Sequence, residues 1–285
     1  MILIADSGST KTDWCLLDEA GTETYFTTEG YNPFYADKAY ISRSIKNSIP
    51  SHIDTFSVSK IHFYGAGCQD DQTEVMCNIL QEVFENADEI NAEVDLLAAA
   101  RGLLGNQPGF AAILGTGTNT CLYDGRGITH NIDSLGFILG DEGSGAAIGK
   151  QLLSDYLRNK MPASVRELFL DTYGLKPDEV IHKVYSEPFA NRFCAGFTKF
   201  LKQPGVDESY SHQLVKHSFT ALFQNLVSCY PSYSAYTFNC IGSVGYHFQD
   251  VLSEVLDEFG MKQGKILSSL IRELVSYHKM KVNSI

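Results

Sequence analysis

The chain has 285 residues, enough for two domains or one large one with a sizeable core, and its 44% hydrophobic and 20% charged content is that of an ordinary globular protein. A formal net charge of −12 argues against nucleic acid and anionic membrane surfaces as main partners. An anionic nucleotide stays open, because its binding needs only a local cluster of donors.

Seven cysteines with no CxxC pair read as reduced, mostly buried thiols. No basic leader precedes the first apolar run, and no later run approaches ~18 residues, so the expectation is a cytoplasmic protein without a membrane span.

The first stretch, MILIADSGSTKTDWCLLD, sets the pattern. A mostly apolar run ends in Asp6, small residues follow from Ser7 to Thr12, and a second apolar run covers Trp14–Leu17. Neither run has a 3.6-residue period, so two strands joined by a hairpin loop are predicted. Such a loop turns backbone N–H groups, hydroxyls and Lys11 toward one point, which suits a phosphate. GSTKT resembles the end of a Walker A loop, but the upstream glycine is missing and a strand follows where that motif needs a helix.

A third strand is expected over Thr22–Thr28, a loop at Gly30–Pro33 and a helix over Asp37–Ile49. Lys60–Tyr64 reads as a strand ending in the turn Gly65–Gly67, Asp70–Phe84 as a helix, Ile90–Val94 as a strand and Leu96–Leu104 as a helix. This alternation predicts an α/β layer arrangement.

Then the opening pattern returns. Phe110–Leu114 is apolar, Gly115–Thr120 small and polar, and Cys121–Asp124 a strand, which suggests one duplicated hairpin per domain with the boundary in Gly105–Gly109. The rest is mostly helical: about Ala146 to Asn159, then 163–172, 177–185, 188–202 and 208–230. Tyr236–Ile241 reads as a strand ending in Gly242–Gly245, followed by a helix through Phe259, a strand near Lys265–Leu267 and a last helix.

Two glycine hairpins suit a phosphate chain held from two sides, and the glycines at 242–245 allow a flat base to approach the backbone. Asp95, at a strand end, reads first as a helix N-cap, a role compatible with accepting a substrate proton. Asp6 suits Mg²⁺ held through water or a plain solvated strand end. Asp141 and Glu142 precede a helix, where its dipole favours negative charge, and Asn32 suits the start of its Asn-Pro turn. No histidine set forms a metal constellation, and neither GxSxG nor GxGxxG occurs.

Five blocks carry a resemblance: DSGSTKT at the N-terminus, VDLLAAA at 94–100, ILGTGTNT at 113–120, LGDEGSGAAIG at 139–149 and IGSVG at 241–245. In this order and spacing the chain resembles the N-acetylglucosamine kinases of the sugar kinase, actin and chaperone-ATPase superfamily. The group also includes the ATPase activases of benzoyl-CoA reductase and 2-hydroxyacyl-CoA dehydratases.

The resemblance implies two ribonuclease-H-like, actin-like ATPase domains, 1–107 and 108–266, about a nucleotide and sugar cleft, with a C-terminal helix in 267–285 returning to the first domain. It implies ATP and Mg²⁺, with phosphates at Gly8, Ser9, Thr10, Lys11, Thr12, Gly115 and Thr116 and adenine at Gly242, Ser243 and Gly245. Asp6 would hold Mg²⁺ through water, and Asp95 would be the general base toward the 6-OH of an amino sugar. The sugar would meet Asn32, Gly67, Gly117, Asn119, Ser134, Gly136 and Asp141.

N-acetylglucosamine is the expected substrate, with N-acetylmuramic acid and glucosamine as alternatives, and a homodimer the expected assembly. Where the family often has Gly-Gly-Trp-Gly before the DEGS block, this chain has Ser134-Leu135-Gly136-Phe137. An activase is the alternative function, but its iron–sulfur cluster needs paired cysteines, and these are scattered. A filament-forming or peptide-binding ATPase gains nothing from Asp95.

Overall fold

The structure, a computed structural model, describes residues 1–33 and 36–282. Residues 283–285, the end of the expected last helix, lie outside the described residues. The chain divides into two compact units, each on its own five-stranded sheet. The first comprises Met1–Pro108, Asp124–Ile128 and the chain from Ser269 onward; the second comprises Gly109–Tyr123 and Thr129–Ser268.

The first sheet is made of β1 (Ile2–Ser7), β2 (Lys11–Leu17), β3 (Glu23–Glu29), β4 (Lys60–Gly65) and β5 (Glu89–Val94), in the order β3-β2-β1-β4-β5. β1 pairs antiparallel with β2 and parallel with β4, and β4 parallel with β5. Its helices are α1 (Lys38–Ser48), α2 (Asp71–Val83) and α3 (Asp95–Leu104). Trp14 anchors the core with no exposed surface, stacked on Phe26 at 5.7 Å between ring centroids, its indole N–H donating to the Thr28 hydroxyl at 2.9 Å.

In the second unit β6 (Gly109–Leu114), β7 (Thr118–Tyr123), β8 (Ile128–Asn131), β9 (Thr237–Ile241) and β10 (Lys262–Leu267) form a sheet of order β10-β9-β6-β7-β8. Reading from β8, each strand takes the place of its counterpart from β3, so both sheets share one topology. This is the duplicated ribonuclease-H-like, actin-like ATPase architecture.

Between β8 and β9 run α4 (Gly136–Leu139), α5 (Gly145–Leu157), α6 (Ala163–Tyr173), α7 (Pro177–Ser186), α8 (Ala190–Gly196) and α9 (Glu208–Asn225). After β9 come α10 (Ser243–His247) and α11 (Gln249–Glu258). A core of Phe110, Phe169, Phe200, Phe219, Phe223 and Phe238, among others, fills this unit. After β10 the chain returns to the first unit as α12 (Ile271–Val282).

Several predicted bounds shift. β2 begins at Lys11 rather than Trp14, and β7 at Thr118, so the hairpin turns are only Gly8–Thr10 and Gly115–Gly117. The expected helix 188–202 becomes 3₁₀ from Phe197, where the Thr198 hydroxyl donates to the Gly145 carbonyl at 3.0 Å. The one expected over 208–230 ends at Asn225, because Leu226 leaves helical geometry (φ −120°, ψ −63°). β8 was not expected; it is mostly exposed and carries no apolar alternation.

Candidate active site

Five of the predicted site segments follow a parallel strand at its carboxyl end, where open α/β sheets bind ligands, whereas Asn32, Asn119 and the stretch from Ser134 to Asp141 do not. In the first unit these are the turn after β1, Gly67 after β4 and Asp95 after β5. In the second they are Gly115–Gly117 after β6 and Gly242–Gly245 after β9. A surface cavity of about 540 Å³, lined by Met1, Ile2, Leu17 and Lys279, lies at the opposite end of β1 and holds none of these residues.

The β1–β2 turn is fixed by backbone bonds from Gly8 N–H to the Lys11 carbonyl (3.0 Å) and from Gly30 N–H to the Thr10 carbonyl (3.1 Å). Beneath it the hydroxyls of Ser7 and Thr12 meet at 2.7 Å, Thr12 donates to the Glu29 carbonyl at 2.9 Å, and Ser7 accepts the Tyr31 N–H at 3.2 Å. Thr12 is fully buried, so its hydroxyl braces the turn from within, while Gly8, Thr10 and Lys11 are exposed.

Asp6 and Asp13 stand directly opposite on β1 and β2 and therefore share a sheet face. Lys11 holds both Asp13 oxygens, at 3.0 and 2.8 Å. Burial raises the Asp6 carboxyl to about 7, with Asp95 and Asp13 adding to the rise and Lys11 opposing it.

Asp95 is the first residue of α3, not its N-cap; Val94 holds that place with no side-chain bond. The expected N-cap position thus falls one residue earlier, and the Asp95 carboxylate meets the helix from its first turn. Burial lifts it to about 6, against backbone N–H groups of Leu96 and Asp95 itself, which favour the charged form. It is thus an ionised carboxylate at neutral pH with an affinity for a proton well above that of an exposed one.

In the second unit the turn is tied to the start of α5, through Gly145 N–H to the Gly115 carbonyl (2.8 Å) and Ala146 N–H to the Thr116 carbonyl (3.0 Å). Asp141 is buried in a left-handed conformation (φ 58°). Its Oδ1 accepts the Thr118 N–H at 3.1 Å and the Ser134 hydroxyl at 3.3 Å, and burial raises its carboxyl. A Cβ at Gly117 would stand 3.2 Å from Asp141 Oδ2, so this glycine opens the approach to the carboxylate.

Asp141, Ser134, Gly117 and Thr118 therefore form one cluster. Asn119 faces a different neighbour, its Oδ1 accepting from Asn131 Nδ2 at 2.9 Å and from Thr120 N–H at 3.0 Å. Gly136 (φ 66°) opens α4, whose Ile138 and Leu139 are 82% and 77% exposed. Gly242 (φ 128°) lies against the Leu114 carbonyl, so strand β6 and the turn after β9 touch through backbone that no side chain could enter. Asn32 lies in the loop after β3, where its carbonyl accepts the Ala36 N–H at 3.1 Å.

Sequence reasoning missed Asp13 and Thr118. Asp13 carried the signal of an acidic residue two places from Lys11 and so on the same strand face, whereas Thr118 acts through its backbone N–H and left none. Among the described residues no group of three or more His, Cys, Asp or Glu could hold a metal ion. The paired carboxylates of Asp6 and Asp13, opposite each other on β1 and β2, suit Mg²⁺, which keeps most of its water and uses few carboxylates. Cysteines 15, 68, 121, 194 and 240 are buried, with thiols pushed up by that burial. No helix among the described residues is long and apolar enough to cross a membrane.

No family model and no curated protein matches the sequence. Among solved structures, a putative N-acetylglucosamine kinase from Porphyromonas gingivalis is 39% identical over 99% of this chain and 100% of its own, with a TM-score of 0.91. The chain belongs to the N-acetylglucosamine kinase family. A second such kinase, from Chromobacterium violaceum, shares the fold at 16% identity and a TM-score of 0.70 over 97% of both chains. So does a ROK family glucokinase from Streptomyces griseus, solved with glucose and AMPPNP, at 14% identity and a TM-score of 0.56 over 98% of both chains. Membership places the duplicated sheet and its strand-end turns in a family of sugar kinases.

Proposed function

We propose that the chain is an ATP- and Mg²⁺-dependent amino-sugar kinase that phosphorylates the 6-hydroxyl of N-acetylglucosamine, with N-acetylmuramic acid as the second candidate substrate. The observation that carries this reading is Asp95: a carboxylate at the carboxyl end of β5 whose proton affinity is raised to about 6. Asp95 accepts the 6-hydroxyl proton as the sugar oxygen bonds to the γ-phosphorus and the bond from that phosphorus to the bridging oxygen breaks, releasing ADP. General-base help of this kind is worth typically ~10²–10⁴-fold.

Positioning and charge neutralisation supply the rest. Lys11 and the N–H groups of Gly8, Ser9, Thr10, Gly115 and Thr116 hold the phosphates, and the turn Gly242–Gly245, with Ser243, receives the adenine. Mg²⁺, when bound, would neutralise phosphate charge, and Asp6 would hold it through water. Asn32, Gly67, Gly117, Asn119, Ser134, Gly136 and Asp141 form the sugar site. A buried Asp141 carboxylate rejects a sugar lacking its hydroxyl, because the acceptor is then left without that bond.

The test is ADP release by wild type and Asp95→Asn across N-acetylglucosamine, N-acetylmuramic acid, glucosamine, N-acetylmannosamine and glucose. One amino sugar should raise turnover well above background, and the variant should abolish the rise. Slow ATP hydrolysis indifferent to every sugar would sink the reading. The same preparation, sedimented at micromolar concentration, tests the homodimer.

A further inference from the structure

Lys11 and Asp13 stand two residues apart on β2, so their side chains leave the same face of the sheet. Asp6 shares that face from directly across on β1. The Lys11 ammonium bridges both Asp13 oxygens at 3.0 and 2.8 Å, and the Ser269 hydroxyl reaches Asp13 Oδ2 at 3.3 Å.

The two partners differ in freedom. Asp13 is 8% exposed and locked in its strand, whereas the Lys11 side chain is 60% exposed. The anion is fixed and the cation sits on a flexible stem that can swing. Asp6 has Asp95 and Asp13 as negative neighbours and Lys11 as a positive one. An oxygen-rich face at this turn is thus partly offset by a cation of the chain itself.

We infer that Lys11, held by Asp13, is a built-in counter-ion that keeps free divalent metal off the hairpin until nucleotide arrives. The nucleotide step rests on the kinase reading above. An ammonium contributes one positive charge and three donors, and a triphosphate is a stronger partner for it than one carboxylate. Phosphates that draw Lys11 away would uncover Asp13 beside Asp6, leaving both carboxylates open to a cation. Asp13 is thereby a positioning residue for Lys11.

The test titrates Mn²⁺, as a paramagnetic probe, into the whole chain without nucleotide or sugar. Free ion is read by electron paramagnetic resonance. Lys11→Met should bind one Mn²⁺ about tenfold more tightly than wild type, the scale for loss of one partly screened positive charge. Adding Asp13→Asn to that variant should return binding to the wild-type level.

A folded Lys11→Met chain that binds Mn²⁺ no more tightly than wild type overturns the inference, as does a double variant that keeps the gain. If Lys11→Met fails to melt cooperatively, Lys11→Gln removes the same charge and is read in its place. Because the titration contains neither substrate, its failure is distinct from that of the kinase reading, which wild-type turnover decides.

Discussion

Asp95 owes its chemistry to the place where β5 stops. At the first position of α3 its carboxylate has backbone N–H groups nearby, yet burial outweighs them and sets its proton affinity near 6. A base must be ionised to act, so kcat/KM for the sugar should rise with pH through about 6 and level off above it. Asp95→Asn should remove that limb and lower kcat by ~10²–10⁴-fold, with the affinity for ATP little changed. A pH profile that keeps its limb in Asp95→Asn would assign the base elsewhere.

The same displacement has a stability sign. The folded chain holds the Asp95 proton to higher pH than the unfolded chain, whose carboxylates release theirs near ~3.9. Between those values folding is coupled to proton uptake, so this group's contribution is full below the unfolded value and is lost as pH rises through about 6. Asp95→Asn, unable to ionise, should melt a few degrees above wild type at pH 7.5, and the gap should close near pH 4. Melting curves at the two pH values check this; equal gaps at both would show that desolvation is not what raises the group.

At the scale of elements, the β1–β2 turn is held in place by its neighbour strand. A Cβ on Gly30 would stand 2.7 Å from both Ser9 C and Thr10 N, inside van der Waals contact with backbone that cannot yield as a side chain does. Gly30→Ala should therefore displace the turn and weaken ATP binding about tenfold while leaving sugar binding nearly unchanged. Calorimetric titration of each ligand separates the two, and an unchanged ATP affinity would show that the turn takes no part in phosphate binding.

The sequence spelled out this turn well because small residues between two apolar runs have few other uses. It misplaced the start of β2, since Lys11 and Asp13 are polar on one face and leave no apolar signal there. β8 was invisible for a related reason: a sheet-edge strand with mostly exposed residues has nothing to alternate. The left-handed Asp141 was equally unreadable, because a non-glycine residue at φ 58° is held there by its bonds to Thr118 on β7 and to Ser134 across α4, pairings that no local pattern announces.

At the scale of the whole molecule, one topology is written twice in succession, but the first copy is not finished where the second begins. α12 closes the first unit only after the second has been completed. Leu270, Ile271, Leu274, Val275 and Tyr277 are all buried there, and a Cβ on Gly102 of α3 would stand 2.5 Å from Leu270 Cδ1. That fit leaves α3, and Asp95 at its start, dependent on the far end of the chain.

Each of those side chains is worth about 1.5–3 kcal/mol of burial, so their loss together rivals the 5–15 kcal/mol that a whole domain has to spare. A chain ending at Ser269 should consequently lose the first unit while the second keeps its core, none of which comes from α12. Hydrogen exchange reads this directly: amides of β1 and β4 should lose protection, and those of β6 and β9 should retain it. Protected amides in β1 would mean that the first sheet stands without its returning helix. Loss of protection in both sheets would mean that the two units fold only together.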